Sequence, residues 1–301
     1  MRVIANGLAL EVEDVGPRDA PPVLLVMGLG MQLTGWPDGF VAELLQRGFR
    51  VIRFDNRDAG LSEGFDHLGV PSIALAALRH FVRLPVRSPY ALRDMAADAV
   101  GVLDALGVER AHVCGASLGG MVAQYIAADY PQRVASLTLI MTTSGSRRLP
   151  GPSAKARSAL LSRPASAAPE SLIAHSIHVF NTIGSPQFKP DAGELRERVA
   201  ASIARASRPA GTARQLLAVA ADGDRSAMLA RIAAPTQVIH GVVDPLIPVE
   251  NGRDLVRRIR GAQGDFVEGM GHDLPGPLLA RFADRIAANA RRPGPGAAPA
   301  A

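Results

Sequence analysis

Short apolar runs alternate with amphipathic stretches along most of this chain. Val23-Leu24-Leu25-Val26 is continuously apolar, the pattern of a strand buried on both faces. Residues 50–54, 111–114, 136–141, 236–240 and 264–268 read as further strands. Helical spacing fills the gaps. Residues 39–47 predict one helix. Residues 92–106 predict another, with Leu92, Met95, Ala99, Leu103 and Leu106 on one stripe and Asp94, Asp98 and Asp104 off it. Ser88-Pro89 upstream reads as an N-cap followed by proline at the first helical position. A helical run from Met121 to Ala128 follows the strand at 111–114. A last helix sets Leu278, Leu279, Phe282 and Ile286 on one face. At the N-terminus, residues 2–14 alternate around Asn6-Gly7, a two-residue hairpin signal. Strands alternating with helices predict an α/β fold with a largely parallel sheet.

The pattern is interrupted twice. Residues 145–231 carry alanine-rich helical stretches punctuated by prolines such as Pro150, Pro164, Pro186 and Pro209, with no strand signal. The economical division is a core of residues 1–144 and 232–290, a helical cap at 145–231, and a disordered Pro/Gly/Ala tail at 291–301. A smaller insertion, 64–88, has an apolar centre at 73–82. A helix packed on the core is favoured there over a wall of a substrate pocket.

The chemistry centres on Gly115-Ala116-Ser117-Leu118-Gly119, a G-x-S-x-G pattern between a strand and a helix. A serine on such a tight turn has its hydroxyl pushed out at the sheet end. The helix N-terminus beside it offers unpaired N–H groups to a developing anion. A serine hydroxyl needs a base, most often histidine. Seven histidines compete: His67 and His80 in the small insertion, His112 behind the serine, His175 and His178 in the helical insertion, His240 closing a strand, and His272. His272 lies in Gly269-Met270-Gly271-His272-Asp273, a loop after the last strand that can return to the serine, so it is the expected base. Asp244, just past the strand ending at His240, is the expected acid that orients it. The loop after strand 136–141, Thr142-Thr143-Ser144-Gly145, offers no carboxylate in its place. The expected oxyanion donors are the backbone N–H groups of Leu118 and Leu29, with Gly28 permitting a sharp exit from the strand. Met31, Trp36 and Met121 lie near this machinery in sequence and are candidates either for the acyl pocket or for the core. Asp55, Arg57 and Asp58 read as a structural turn network.

Composition narrows the field. Hydrophobic residues fill 48% of 301 positions, enough for one sizeable core. An apolar span of about 18 residues, the length of a membrane helix, is missing, as is the apolar segment of a secretory signal. No membrane insertion is expected, and cytoplasmic residence is the default. The net charge of +5 comes almost wholly from scattered arginines, since Lys155 and Lys189 are the only lysines. Without basic runs or interleaved aromatics, nucleic acid is not an expected partner. Cys114 is the single cysteine, read as a buried, inert thiol. His175 and His178 form a lone i,i+3 pair with no carboxylate partner, so no metal is expected.

On these residues the chain resembles the α/β-hydrolase superfamily over about residues 3–288. Leu25 to Gly30, Gly35-Trp36-Pro37, Phe54 to Ser62 and Pro89 to Asp98 are similar to the aclacinomycin-methylesterase-like branch. The resemblance implies eight mostly parallel strands, a helical cap after the sixth, and hydrolysis of carboxylic esters through an acyl-serine. Many relatives carry His-Gly at the oxyanion loop; Met27-Gly28 stands here, as that branch commonly has it. The expected activity is hydrolysis of small to medium, fairly apolar esters without a cofactor. Lactonase, perhydrolase and carbon–carbon hydrolase chemistry on the same triad are alternatives, as is a non-catalytic ligand receptor on a hydrolase scaffold. Serine at the nucleophile position disfavours dehalogenases and epoxide hydrolases, which use aspartate there.

Overall fold

A computed structural model describes residues 1–82 and 84–293 of the chain. The expected tail therefore lies, from residue 294 on, outside the described residues. Arg292 is anchored by donating to the carbonyl oxygens of Thr236 (3.1 Å) and Gly261 (2.5 Å).

The chain opens with a hairpin of β1 (Arg2–Ala5) and β2 (Leu8–Val15), turning at Asn6-Gly7 with positive φ at both residues. Then come β3 (Pro22–Val26), α1 (Asp38–Gln46), β4 (Arg50–Phe54), α2 (Ile73–Phe81) and α3 (Leu92–Ala105). β5 (Ala111–Ala116), α4 (Leu118–Asp129) and β6 (Val134–Ile140) follow. The expected insertion holds α5 (Ala154–Leu161), α6 (Pro169–Ile183), α7 (Ala192–Arg205), α8 (Pro209–Asp222) and α9 (Ser226–Leu229), with no strand among them. β7 (Thr236–Gly241), α10 (Val249–Arg258), β8 (Gln263–Val267) and α11 (Leu279–Ala290) complete the chain. No helix among the described residues is long and apolar enough to cross a membrane.

One sheet runs β1-β2-β4-β3-β5-β6-β7-β8, antiparallel at β1/β2 and β2/β4 and parallel elsewhere. Alternate residues of β3 serve different cores. Leu24 and Val26 pack with α3 and α4, while Val23 and Leu25 pack with α1 and α11. A strand covered on both faces must be apolar at every position, which is why 23–26 has no polar alternation. β4 lies on one side of β3 and β5 on the other. The loops leaving β3 and β5 therefore diverge, and the crevice between them is where open α/β sheets bind ligands.

Two local expectations need correction. α3 starts at Leu92, not at Pro89, because the Asp94 carboxylate accepts the Ala91 N–H (2.8 Å) and fixes the start there. Among the described residues, the main contact of α2 is with a helix of the 145–231 insertion rather than with the sheet or its flanking helices. α2 rests against α8, burying Ala76 but leaving Leu75 and Leu78 more than half exposed.

Candidate active site

β5 ends at Ala116 and α4 starts at Leu118, so Ser117 alone makes the turn. Its φ of 54° lies in the left-handed region that side chains avoid, a strain characteristic of functional turns. Flanking glycines allow it by close approach rather than by unusual dihedrals. A Cβ at Gly115 would sit 2.2 Å from the Gly119 carbonyl oxygen, and one at Gly119 would sit 1.9 Å from that of Val26. The Ser117 N–H donates to Ile140 O (2.9 Å) and its carbonyl accepts from Thr142 Oγ1 (2.7 Å), so the turn is tied to the end of β6.

His272 reaches the serine across two intervening strands. Its loop lies over the end of β7, where a Cβ on Gly241 would be 2.2 Å from Met270 O. Ser117 Oγ is 3.0 Å from His272 Nε2, and His272 Nδ1 is 2.7 Å from Asp244 Oδ2. A carboxylate only accepts, so Nδ1 carries the proton and Nε2 is left basic toward the hydroxyl. The other carboxylate oxygen, Asp244 Oδ1, accepts from the Leu246 and Ile247 N–H groups at 2.9 and 2.8 Å. That turn locks the carboxylate. Asp244 and His272 are both buried, while Ser117 is partly exposed. Such an arrangement can deliver an activated alkoxide to an electrophile from outside.

The sheet architecture has a counterpart in sequence. The sequence profile of the α/β hydrolase fold family matches residues 21–275. The chain belongs to the α/β-hydrolase family. Rhodomycin D methylesterase DauP of Streptomyces sp. (strain C5) is 32% identical, over 96% of this chain and 97% of its own. Rhodomycin D methylesterase DnrP of Streptomyces peucetius is 31% identical over 96% and 98%. The enol-lactonase from Burkholderia xenovorans LB400 shares the fold with a TM-score of 0.73 at 23% identity, over 96% of this chain and 99% of that one.

Within this α/β-hydrolase, Leu29 follows β3 and Leu118 opens α4. Neither backbone N–H has a hydrogen-bond partner among the described residues. The sharp backbone feature of the β3 loop falls at Gly30 (φ 65°) rather than at Gly28. Gly28 has a different role: a Cβ there would stand 3.9 Å from Ser117 Oγ, so a bare backbone faces the hydroxyl. Met121 is buried in the α3–α4 core and Met31 is partly buried at the edge of the α1–α11 core. Trp36 sits in that second core, fully buried and stacked on Phe40 with ring centroids 5.5 Å apart. Asp55, Arg57 and Asp58 do form a buried polar network. Asp55 accepts from Leu33 and Leu61 N–H, Arg57 forks onto Asp98, and Asp58 pairs with Arg214 of α8. An open cleft of about 430 Å³ lies between Gly60 and Arg208, but it includes no member of the Ser117 chain, and its charges, Asp66 and Arg208, pair with each other.

No other histidine with a described side chain has a hydrogen bond to the serine. His67 is exposed, His175 and His178 lie on α6, and the His80 side chain lies outside the described residues. His112 Nδ1 is 2.9 Å from Ser136 Oγ, one strand away. His240 is fully buried, with Nε2 2.7 Å from Ile247 O and no partner on Nδ1 among the described residues. Burial pushes His112 down to about 4, helped by the Arg110 charge, and burial likewise pushes His240 down. Both values lie below that of an unfolded histidine, so the unfolded chain binds protons that the folded chain refuses. Their contribution is complete above about pH 6.5 and is lost as pH falls below it, at up to about 1.4 kcal/mol per unit for each histidine. Urea unfolding at pH 6.5 and pH 5 is expected to show lower stability at pH 5, with a smaller loss in His112→Gln. Equal stability at the two pH values would refute this.

Proposed function

We propose that this protein hydrolyses carboxylic esters through an acyl-serine, with Ser117 as nucleophile, His272 as base and Asp244 as its orienting acid. The observation that carries the reading is the continuous hydrogen-bonded chain from Asp244 through His272 to Ser117 Oγ. As Ser117 Oγ bonds to the ester carbonyl carbon, its proton passes to His272 Nε2. Negative charge moves onto the carbonyl oxygen, where the Leu29 and Leu118 amides are the proposed donors. Collapse of this intermediate expels the alcohol, which takes the proton from His272. Water then attacks the acyl-serine, losing a proton to the same nitrogen, and the acid leaves as Ser117 recovers its hydrogen. All of these groups are side chains or amides of the chain itself.

The rhodomycin D methylesterase names of its relatives support methyl esters as the substrates to try first. Residues 145–231 are proposed to cap the site above the core of 1–144 and 232–290, with Met31 and Met121 as candidates for the pocket lining. Esters with a fixed acyl group and methyl, ethyl and butyl alcohols, together with a lactone, would be assayed with product analysis. Methyl-ester turnover with stoichiometric acid and methanol is expected, as is labelling of Ser117 by a fluorophosphonate. Ligand binding without labelling or turnover would point to a receptor, and lactone-only turnover to a lactonase.

A further inference from the structure

The loop expected to hold the oxyanion is not self-supporting. Its Gly30 N–H donates to Gln215 Oε1 of α8 at 2.8 Å. Gln215 is fully buried, and its Nε2 donates to the Arg57 carbonyl oxygen at 2.7 Å in the loop after β4. Both ends of one amide are thus spent on backbone groups of two different core loops. Thr212, three residues earlier on α8, closes on the same place: a Cβ at Gly30 would lie 2.6 Å from Thr212 Oγ1. Gly211 brings the helix close, since a Cβ there would be 2.1 Å from Asp58 O. Arg214 then forks onto Asp58 at 2.7 and 2.8 Å. Gly211, Arg214 and Gln215 stand at i, i+3 and i+4, on one face of α8.

We infer that Gln215 is a positioning residue for the oxyanion loop, holding Gly30 so that the Leu29 amide is fixed beside Ser117. This rests on the acyl-serine reading above. The chemical logic is selective pairing. With Gly30 N–H engaged by Gln215, the neighbouring Leu29 N–H keeps no partner among the described residues and stays available to a substrate oxygen. An acceptor on a packed helix also fixes the loop before substrate arrives, which is what stabilisation by preorganised donors requires. The helical insertion then does more than shape the entrance, because it completes the catalytic geometry of the core.

Gln215→Met keeps the length of the side chain and removes the acceptor. Turnover should be expressed per Ser117 labelled by fluorophosphonate, so that misfolded protein does not count. The expected result is a fall in kcat of about 10- to 100-fold with little change in KM, the scale set by displacing a reacting group by about an ångström. The inhibition constant of a trifluoromethyl ketone, which forms the tetrahedral oxyanion on the serine, should rise by the same factor. A merely structural role would lower the melting temperature and the labelled fraction but leave kcat per labelled site and that inhibition constant unchanged, which would overturn the inference. Gln215→Glu keeps an acceptor for Gly30 and is expected to retain kcat and ketone affinity. If Gln215→Met does not fold, loss of both in a folded Gln215→Glu would overturn it equally. Wild-type protein that neither labels nor hydrolyses esters would instead remove the acyl-serine reading itself.

Discussion

Ser117→Ala is expected to lower ester turnover about a million-fold, to the residual rate that the oxyanion donors and substrate binding sustain without the nucleophile. That corresponds to about 8 kcal/mol of transition-state stabilisation. The size follows from what the hydroxyl does, since no other group at the turn can form the acyl intermediate. Fold stability should change by only about 1 kcal/mol, the net worth of the Oγ–His272 hydrogen bond. Alanine keeps the Cβ and meets the same positive φ, so the strain of the turn is neither relieved nor increased. Short p-nitrophenyl esters give the rate, and urea unfolding gives the stability. His272→Ala in the Ser117→Ala background should cost almost nothing further, because the two residues act as one unit. A correctly folded Ser117→Ala protein with wild-type turnover would end the assignment.

Much of this site is local in sequence, and that is why it was legible. The G-x-S-x-G turn needs a strand before it and a helix after it, and both are written in the residues next to Ser117. Asp244 and His272 each follow a short strand, so the rule that loops at strand ends share one edge brings them together. The hairpin at Asn6-Gly7 was equally local. What was not legible depends on distant partners. Nothing around Ser88-Pro89 reveals that Asp94 would fix the helix start at Leu92. The apolar 73–82 stretch looks like core, yet its outcome depends on how much surface α8 offers it. Gln215, Arg214 and Arg205 look like ordinary polar positions on alanine-rich helices. Their partners Gly30, Asp58 and Asp55 lie some 150 residues or more earlier in the chain. The only trace in sequence is the i, i+3, i+4 spacing of Gly211, Arg214 and Gln215, and that spacing does not name a partner.

Arg214→Met is expected to destabilise the fold by about 3–5 kcal/mol, the cost of stranding one charge of a buried pair. Arg214 and Asp58 are both essentially inaccessible to water, and the guanidinium also donates to the Gly69 carbonyl oxygen (2.6 Å). Burial works to raise the Asp58 carboxyl. The Arg214 fork, the Phe65 N–H and the Tyr90 hydroxyl nevertheless hold it below the ordinary carboxylate range. In the wild type, Asp58 therefore contributes stability that is present above the unfolded carboxylate value and is lost only as pH falls through the lower folded value. Without Arg214 the balance reverses, because burial is then opposed by two weaker hydrogen bonds. The folded carboxyl should move above its unfolded value, so the variant loses stability as pH rises from about 4 to 7 while the wild type does not. The gap between the two urea midpoints should widen over that interval. Adding Asp58→Leu should recover a large part of the loss, since an apolar pair leaves no charge stranded. A constant gap from pH 4 to 7 would mean that Arg214 acts through packing alone, and the ion pair would not be what joins α8 to the loop after β4.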